Sequence, residues 1–202
     1  MGQPVSRQYQ DLSTFTVPQG FRGRPGATVL LWQLVQATLF GLSPRPLYGW
    51  RRMLLRLFGA KIGDRVLIRP TARIAFPWKL TIGDHSWIGD DVELYNLNSI
   101  VIGANAVVSQ RSYLCTASHA PDIATFDYVT GAVVVADQAW IAADVFIGPG
   151  VKIGFGAVIG ARSLVDRDIP EGVMAFGSPA TIRKQRHSAG ADLREPIEKL
   201  PK

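Results

Sequence analysis

The chain has 202 residues, 47% of them apolar and 19% charged, with a net charge of +6 and 20 glycines. This is enough apolar material for the core of one domain with modest extensions, and too little charge for a disordered chain. The positive excess suits a basic tail or a polyanionic partner; no run interleaves basic with aromatic residues and no helix-turn-helix or zinc-finger pattern occurs, so nucleic acid is not expected and a small phosphate-bearing ligand is.

Residues 1–61 read as an N-terminal arm. Its first 28 residues are polar or turn-forming, with no signal-peptide pattern, and the lone Cys115 permits no internal disulfide; both point to the cytoplasm. Val29–Leu42 reads as a first helix, too short and too rich in Gln33, Gln36 and Thr38 to span a membrane. Ser43-Pro44-Arg45-Pro46 breaks it, and a second helix is expected over Pro46–Phe58, stopped by Gly59. Leu47, Trp50, Leu54, Leu57 and Phe58 share its apolar face. The arm is expected to cover one end of the domain that follows; the second reading is peripheral contact of residues 29–58 with an anionic membrane, at its inner face.

Residues 62–178 follow a period of six. Aliphatic residues stand at Ile62, Ile68, Ile74, Ile82, Ile88, Leu94, Ile102, Val108, Leu114, Val135, Ile141, Ile147, Ile153, Ile159 and Val165. The next position is small in twelve of these fifteen hexads, which is read as letting the chain turn. Six is neither a whole number of helical turns nor the alternation of a plain sheet; it fits short strands joined by tight bends, stacked into a parallel β-solenoid. The interruptions fall after the third, sixth and ninth hexads: Leu80-Thr81, Ile100-Val101 and a loop over 120–134. Three hexads per turn then place every interruption on one edge of a triangular prism of about five coils. Leu80 and Ile100 are themselves alternative anchors. Residues 179–202 form a basic C-terminal segment.

His187 lies in that segment and His85 in a bend. His119 ends the ninth hexad where the loop departs, with Asp122 three residues on and Tyr95-Asn96-Leu97-Asn98 one turn earlier. A neutral imidazole there can act as general base toward a hydroxyl, with Asp122 a candidate to orient the ring. Cys115, in the small position of its hexad, reads as a buried structural residue rather than a nucleophile. His85 and His119 could share an edge, but a third protein ligand for zinc is not visible, so no metal is expected. Arg162, Arg167, Arg183, Lys184 and Arg186 gather near the end of the solenoid and suit phosphate binding.

The hexads, the loop after the third turn, Cys115-Thr116-Ala117-Ser118-His119 and Gly177-Ser178-Pro179-Ala180 resemble the hexapeptide-repeat acyltransferases. Ser43-Pro44-Arg45-Pro46, the run Leu54–Gly63 and Tyr95-Asn96-Leu97 resemble, within that family, acetyltransferases assigned to colanic-acid and exopolysaccharide biosynthesis. The resemblance implies an all-β solenoid, a left-handed parallel β-helix, and a homotrimer with active sites between neighbouring prisms. It implies O-acetyl transfer from acetyl-CoA, the co-substrate, to a saccharide hydroxyl. His119 is then the base, Asn96 lies near the acceptor, Trp140, Ala142 and Ala161 line the pantetheine channel, and Arg167, Arg183 and Lys184 lie near the CoA phosphates. Asp166 stands where relatives often carry Thr or Lys. Other acceptors (an amino acid, an antibiotic, a nucleotide sugar) and a metal-dependent hydratase on the same scaffold are the alternatives.

Overall fold

Burial of one aliphatic side chain every six residues organises the molecule. The computed structural model describes residues 8–187. All fifteen predicted anchors point inward, none more than 6% exposed. They stack in three columns: Ile62, Ile82, Ile102, Val135 and Ile153 on a first face, Ile68, Ile88, Val108, Ile141 and Ile159 on a second, and Ile74, Leu94, Leu114, Ile147 and Val165 on a third. The strands of all three columns run parallel. Five turns are complete, and a sixth is begun by Ile169, bridged to Ile153, and by Val173–Gly177 on the second face, so the prism is longer than the five coils expected. A final strand, Ala180–Gln185, folds back antiparallel on Val173–Gly177.

Leu80, Ile100 and Val133 are also buried and pair in register, so strands of the first face carry two inward positions and the extra dipeptides lengthen that face. The expected loop is displaced for the same reason. Val133 and Val134 belong to a strand of the prism, and the excursion is a hairpin of Ala117–His119 against Tyr128–Thr130.

The small second position has a different cause from the one expected. A Cβ on Gly83 would meet the Ala104 nitrogen at 2.5 Å, and one on Gly154 the Glu171 nitrogen at 2.4 Å. Glycine is there because the next turn's backbone lies against it. The bend is made two residues later, where Arg65, His85, Asn105, Asp91, Arg111 and Asp144 take left-handed φ of 53–60°. His85 is thus a corner residue, on a different edge of the prism from His119.

Each turn donates backbone N–H groups to carbonyls of the next, as Gly63 does to Ile82, Arg69 to Ile88 and Ala75 to Leu94. The equivalent carbonyls of the first turn, Ile62, Ile68 and Ile74, have no preceding turn to serve. The arm serves them. Arg56 donates to the Ile62 carbonyl at 2.6 and 2.9 Å, Arg51 to Ile68 at 2.6 Å, and Trp32 to Ile74 at 2.7 Å. Gln36 accepts the Ile74 N–H at 2.7 Å, and Arg52 donates to the Val66 carbonyl at 3.0 Å. Helix α1 (Gly26–Val35), prolonged through a π-turn to Phe40, supplies Trp32 and Gln36; α2 (Tyr48–Leu57) supplies the arginines.

The expected face of α2 is therefore turned. Arg51, Leu54 and Leu55 are its buried residues, whereas Leu47, Trp50 and Leu57 face outward. Arg51 has no exposed surface and also donates to Ser43 Oγ and to the Pro44 and Arg45 carbonyls, at 2.6–2.9 Å.

Arg51→Met should lower unfolding stability by about 2–3 kcal/mol, because it strips the buried Ile68 carbonyl and three partly buried acceptors of their donor. Arg51→Lys should recover little of this, since an ammonium cannot span the same fork. Urea titration of both variants checks it.

Candidate active site

The hairpin leaves the prism at the corner between its third and first faces, the corner at which the hexad rhythm breaks. Thr116, fully buried, ties it down: its hydroxyl donates to the Tyr95 carbonyl at 2.9 Å and accepts from the Asn98 N–H at 2.8 Å. Asn98 in turn reaches Thr130 on the second hairpin strand at 3.2 Å.

His119 closes the first hairpin strand, opposite Tyr128. Its ring is half-buried, stacked on Phe126 with centroids 4.2 Å apart, tilted against Tyr128 at 4.6 Å and met edge-on by Phe15 at 5.8 Å. Nδ1 lies 2.6 Å from the Phe126 carbonyl oxygen. A carbonyl only accepts, so in this contact Nδ1 carries the proton. The neutral ring then bears its lone pair on Nε2, and no described group bonds that atom. This is the tautomer a general base requires. Phe126 holds φ at 53°, a left-handed backbone uncommon for an aromatic residue, at the residue whose carbonyl fixes the ring.

Asp122 is exposed in the loop and does not orient the imidazole; the Phe126 carbonyl occupies that role. Asn96 is fully buried, its Oδ1 accepting from the Phe76 N–H at 2.8 Å and its Nδ2 donating to the Phe76 carbonyl at 2.7 Å. Its amide is spent on the backbone of the neighbouring turn; Asn98, next outward in the same run, is only partly buried. Cys115 is buried with its Sγ against the Ala117 carbonyl at 3.0 Å, a structural thiol.

Three aromatic neighbours of His119 carried no signal in the sequence. Phe126 and Tyr128 lie in an aperiodic loop. Phe15 comes from a segment rich in glycine and proline, which crosses the hairpin through an Asp11 N–H to Ala124 carbonyl bond of 2.7 Å and a Phe21–Tyr128 stack of 4.5 Å. Lys79 anchors the segment by donating to the Phe21 and Leu97 carbonyls.

The residues expected along CoA lie elsewhere on the prism. Trp140 stands on the second face, its indole N–H donating to Ser109 Oγ at 3.0 Å, and Ala142 and Ala161 follow at the corner into the third face. Arg183 and Lys184 lie on the strand that ends the second face, with Arg183 over the Phe176 ring at 5.7 Å. A groove of about 620 Å³ runs down that face between Tyr48, Leu67, Trp87, Ser109 and Trp140. Arg167 stands apart, at the corner between the third and first faces, paired to Asp166 at 3.0 Å; that guanidinium holds the Asp166 carboxyl below its ordinary range. The basic cluster expected from sequence is dispersed over three corners: Arg162 follows the second face, Arg167 the third, and Arg186 binds the Gln138 and Gly156 carbonyls at the first. Within one chain His119 stands in the hairpin at the corner between the third and first faces, whereas Trp140 stands on the second face.

Asn96→Ala should cost about 2–3 kcal/mol, by stranding the N–H and carbonyl of Phe76 in the interior. The Michaelis constant for acceptor in the folded fraction should stay at the wild-type value. Thermal unfolding and steady-state kinetics on one preparation separate the two effects.

No protein-family model matches the sequence. The chain is 53% identical over 177 residues, 88% of its own length and 97% of the relative's, to "Putative colanic acid biosynthesis acetyltransferase WcaF" of Escherichia coli strain K12. Among solved structures, the hexapeptide-repeat acetyltransferase VCA0836 of Vibrio cholerae, complexed with acetyl coenzyme A, superposes with a TM-score of 0.73 at 25% identity, over 80% of this chain and 88% of that one. A maltose O-acetyltransferase of Clostridium difficile 630 gives 0.74 at 25% identity, over 81% and 90%. A left-handed β-helix with its edge hairpin and these relatives agree: the chain belongs to the hexapeptide-repeat acetyltransferases, in the group that includes WcaF.

Proposed function

We propose that the protein moves acetyl from acetyl-CoA directly to a hydroxyl of a saccharide, with His119 as general base. Acetyl-CoA is the co-substrate of this acyltransferase, as in the acetyl-CoA complex of its structural relative. The observation that carries the role of His119 is the bond from Nδ1 to the Phe126 carbonyl, which leaves Nε2 to take a proton. The acceptor hydroxyl gives its proton to Nε2 as its oxygen attacks the thioester carbonyl carbon. The tetrahedral intermediate collapses, the carbon–sulfur bond breaks, and the departing thiolate takes the proton back from the imidazolium. The net change is one ester gained and one thioester lost, with CoA released as the thiol.

A saccharide is favoured by the names of the relatives, which include galactoside and maltose O-acetyltransferases, and a polymer-building role by the 53% identity to WcaF. A cytoplasmic site of action fits a chain whose one cysteine is free.

The active form is proposed to be a homotrimer whose sites lie between copies. Two observations support this. His119 stands at the corner between the third and first faces and Trp140 on the second face, which suits a site that takes one residue from each of two chains. The outward row of the second face, Leu67, Trp87, Val107, Trp140, Val158 and Met174, is apolar throughout, unlike the first face with Lys61, Thr81 and Lys152 at equivalent positions. Such a row on an exposed sheet suits burial against another copy.

His119→Ala should lower kcat by roughly 10²–10⁴ with the unfolding midpoint and acetyl-CoA affinity retained. Near-normal turnover in a folded variant would refute the assignment. Asp122→Asn should stay within about twofold of wild type, because that carboxylate does not touch the ring. Mixed trimers of His119→Ala with Trp140→Ala, refolded together in equal amounts, should regain activity at about a quarter of their sites, since one interface in four then carries both native residues. Thiol release from acetyl-CoA across a panel of sugars reads all three.

A further inference from the structure

The two helices that close the first turn have apolar residues on both sides, and only one side is covered. On α1, Val29 and Trp32 face the prism while Leu30, Leu31 and Leu34 face away. On α2, Leu54 and Leu55 face the prism while Trp50, Met53 and Leu57 face away, and Leu42 in the connection is 80% exposed. Nine of the twenty exposed large apolar side chains among the described residues fall between positions 30 and 57. A helix as apolar on its outer side as α1 is one that something else buries, and the outward residues of α2 extend that surface. These residues lie on the side of the two helices turned away from the first turn.

Charge identifies what covers them. From residue 12 to residue 63 the chain holds no Asp or Glu, but it holds Arg22, Arg24, Arg45, Arg51, Arg52, Arg56 and Lys61. Arg51, Arg52 and Arg56 spend their donors inward on first-turn carbonyls, which fixes three positive charges behind the apolar face. Arg22 and Arg24 are exposed near the start of α1, and Arg45 is exposed in the connection before α2, with its guanidinium 4.0 Å from the Asp90 carboxylate. No described helix is long and apolar enough to cross a bilayer, so the arrangement can lie on one but cannot span it. A second copy of the chain would bring the same carboxylate-free cationic segment against itself, and like charges would meet.

We propose that the outer face of α1 and α2 docks on an anionic lipid surface, with Leu30, Leu34, Leu42, Met53 and Leu57 entering the boundary between headgroups and acyl chains, and Arg22, Arg24 and Arg45 meeting the headgroups. Apolar insertion and attraction of cations to anionic lipid act together in such contacts. The prism then stands on the membrane with its capped end down. The proposal does not depend on the role of His119 or on the acceptor.

The test is co-sedimentation of the full chain with vesicles of phosphatidylcholine alone and of phosphatidylcholine mixed with phosphatidylglycerol. Binding should favour the mixed vesicles and weaken as sodium chloride is raised. Leu34→Gln combined with Leu57→Gln should weaken it at least about tenfold, and Arg22→Gln combined with Arg45→Gln by a similar factor, each with an unchanged unfolding midpoint and unchanged thiol release on soluble acceptor. Two separate pairs guard against one failing to fold. Failure of the wild-type chain to bind mixed vesicles, or binding by both variant pairs as tight as wild type, overturns the proposal. So does a light-scattering mass of the wild-type chain that falls in the Leu34→Gln and Leu57→Gln variant, because another copy then covers the face.

Discussion

Backbone hydrogen bonding from each turn to the next is the constraint to which the rest of this molecule answers. Parallel strands stack about 4.8 Å apart in the bonding direction, so every residue that stands over another must tolerate that spacing. Glycine at 63, 83, 103 and 154 is the direct result, since a Cβ at any of them would strike the backbone or side chain of the following turn. Departures from the hexad are confined to where the stack can absorb them. They lie around one edge, where the strands of the first face lengthen in register and where a whole hairpin leaves without disturbing the ladders on either side. The same constraint creates an open end. Three carbonyls that would accept from a preceding turn are met instead by two arginines and a tryptophan, which makes the arm a required part of the fold and accounts for a fully buried arginine in it.

The proposed catalytic ring sits where that regularity stops. Inside the ladders nearly every polar backbone atom is engaged, the inward anchors are aliphatic, and buried hydroxyls such as those of Ser86 and Ser112 are spent on backbone carbonyls, so the prism itself has little to offer a substrate. At the broken edge the chain can present a ring whose one nitrogen is held and whose other nitrogen is open. The held nitrogen is satisfied by a backbone carbonyl rather than by a carboxylate. A carbonyl fixes the tautomer by accepting the Nδ1 proton, but it brings no full charge to the ring.

What could be read from the sequence follows the same division. The fifteen anchors and the edge of interruption were legible because burial repeats with a fixed period, and a period survives without knowledge of any contact. The role of Asn96 was not legible. An amide in a polar run looks alike whether it faces a ligand or bridges two turns, and here its Oδ1 and Nδ2 close on one residue twenty positions away. Asp122 was the natural partner for His119 by proximity and charge, yet the hairpin register carries the Phe126 carbonyl to Nδ1 and leaves the carboxylate in solvent. The buried face of α2 was misjudged because apolar residues alone were counted. Once arginine is admitted as a donor to carbonyls, Arg51, Leu54, Leu55 and Phe58 form the inner stripe, and the remaining leucines are left outside.

That reversal has a wider meaning for how charge and apolar surface are distributed. A helix that closes a sheet edge must turn donors inward, and backbone carbonyls select arginine and tryptophan for the task. Its apolar residues are then free of the core, and selection for solubility would replace them with polar ones. In this chain leucines stand outward on α1, and tryptophan, methionine and leucine on α2, while carboxylates are missing from the whole segment. Capping accounts for the arginines at 51, 52 and 56. It accounts for neither the outward leucines nor the lack of acid, and a surface that is apolar, cationic and placed at one end of a prism has the composition of a membrane contact.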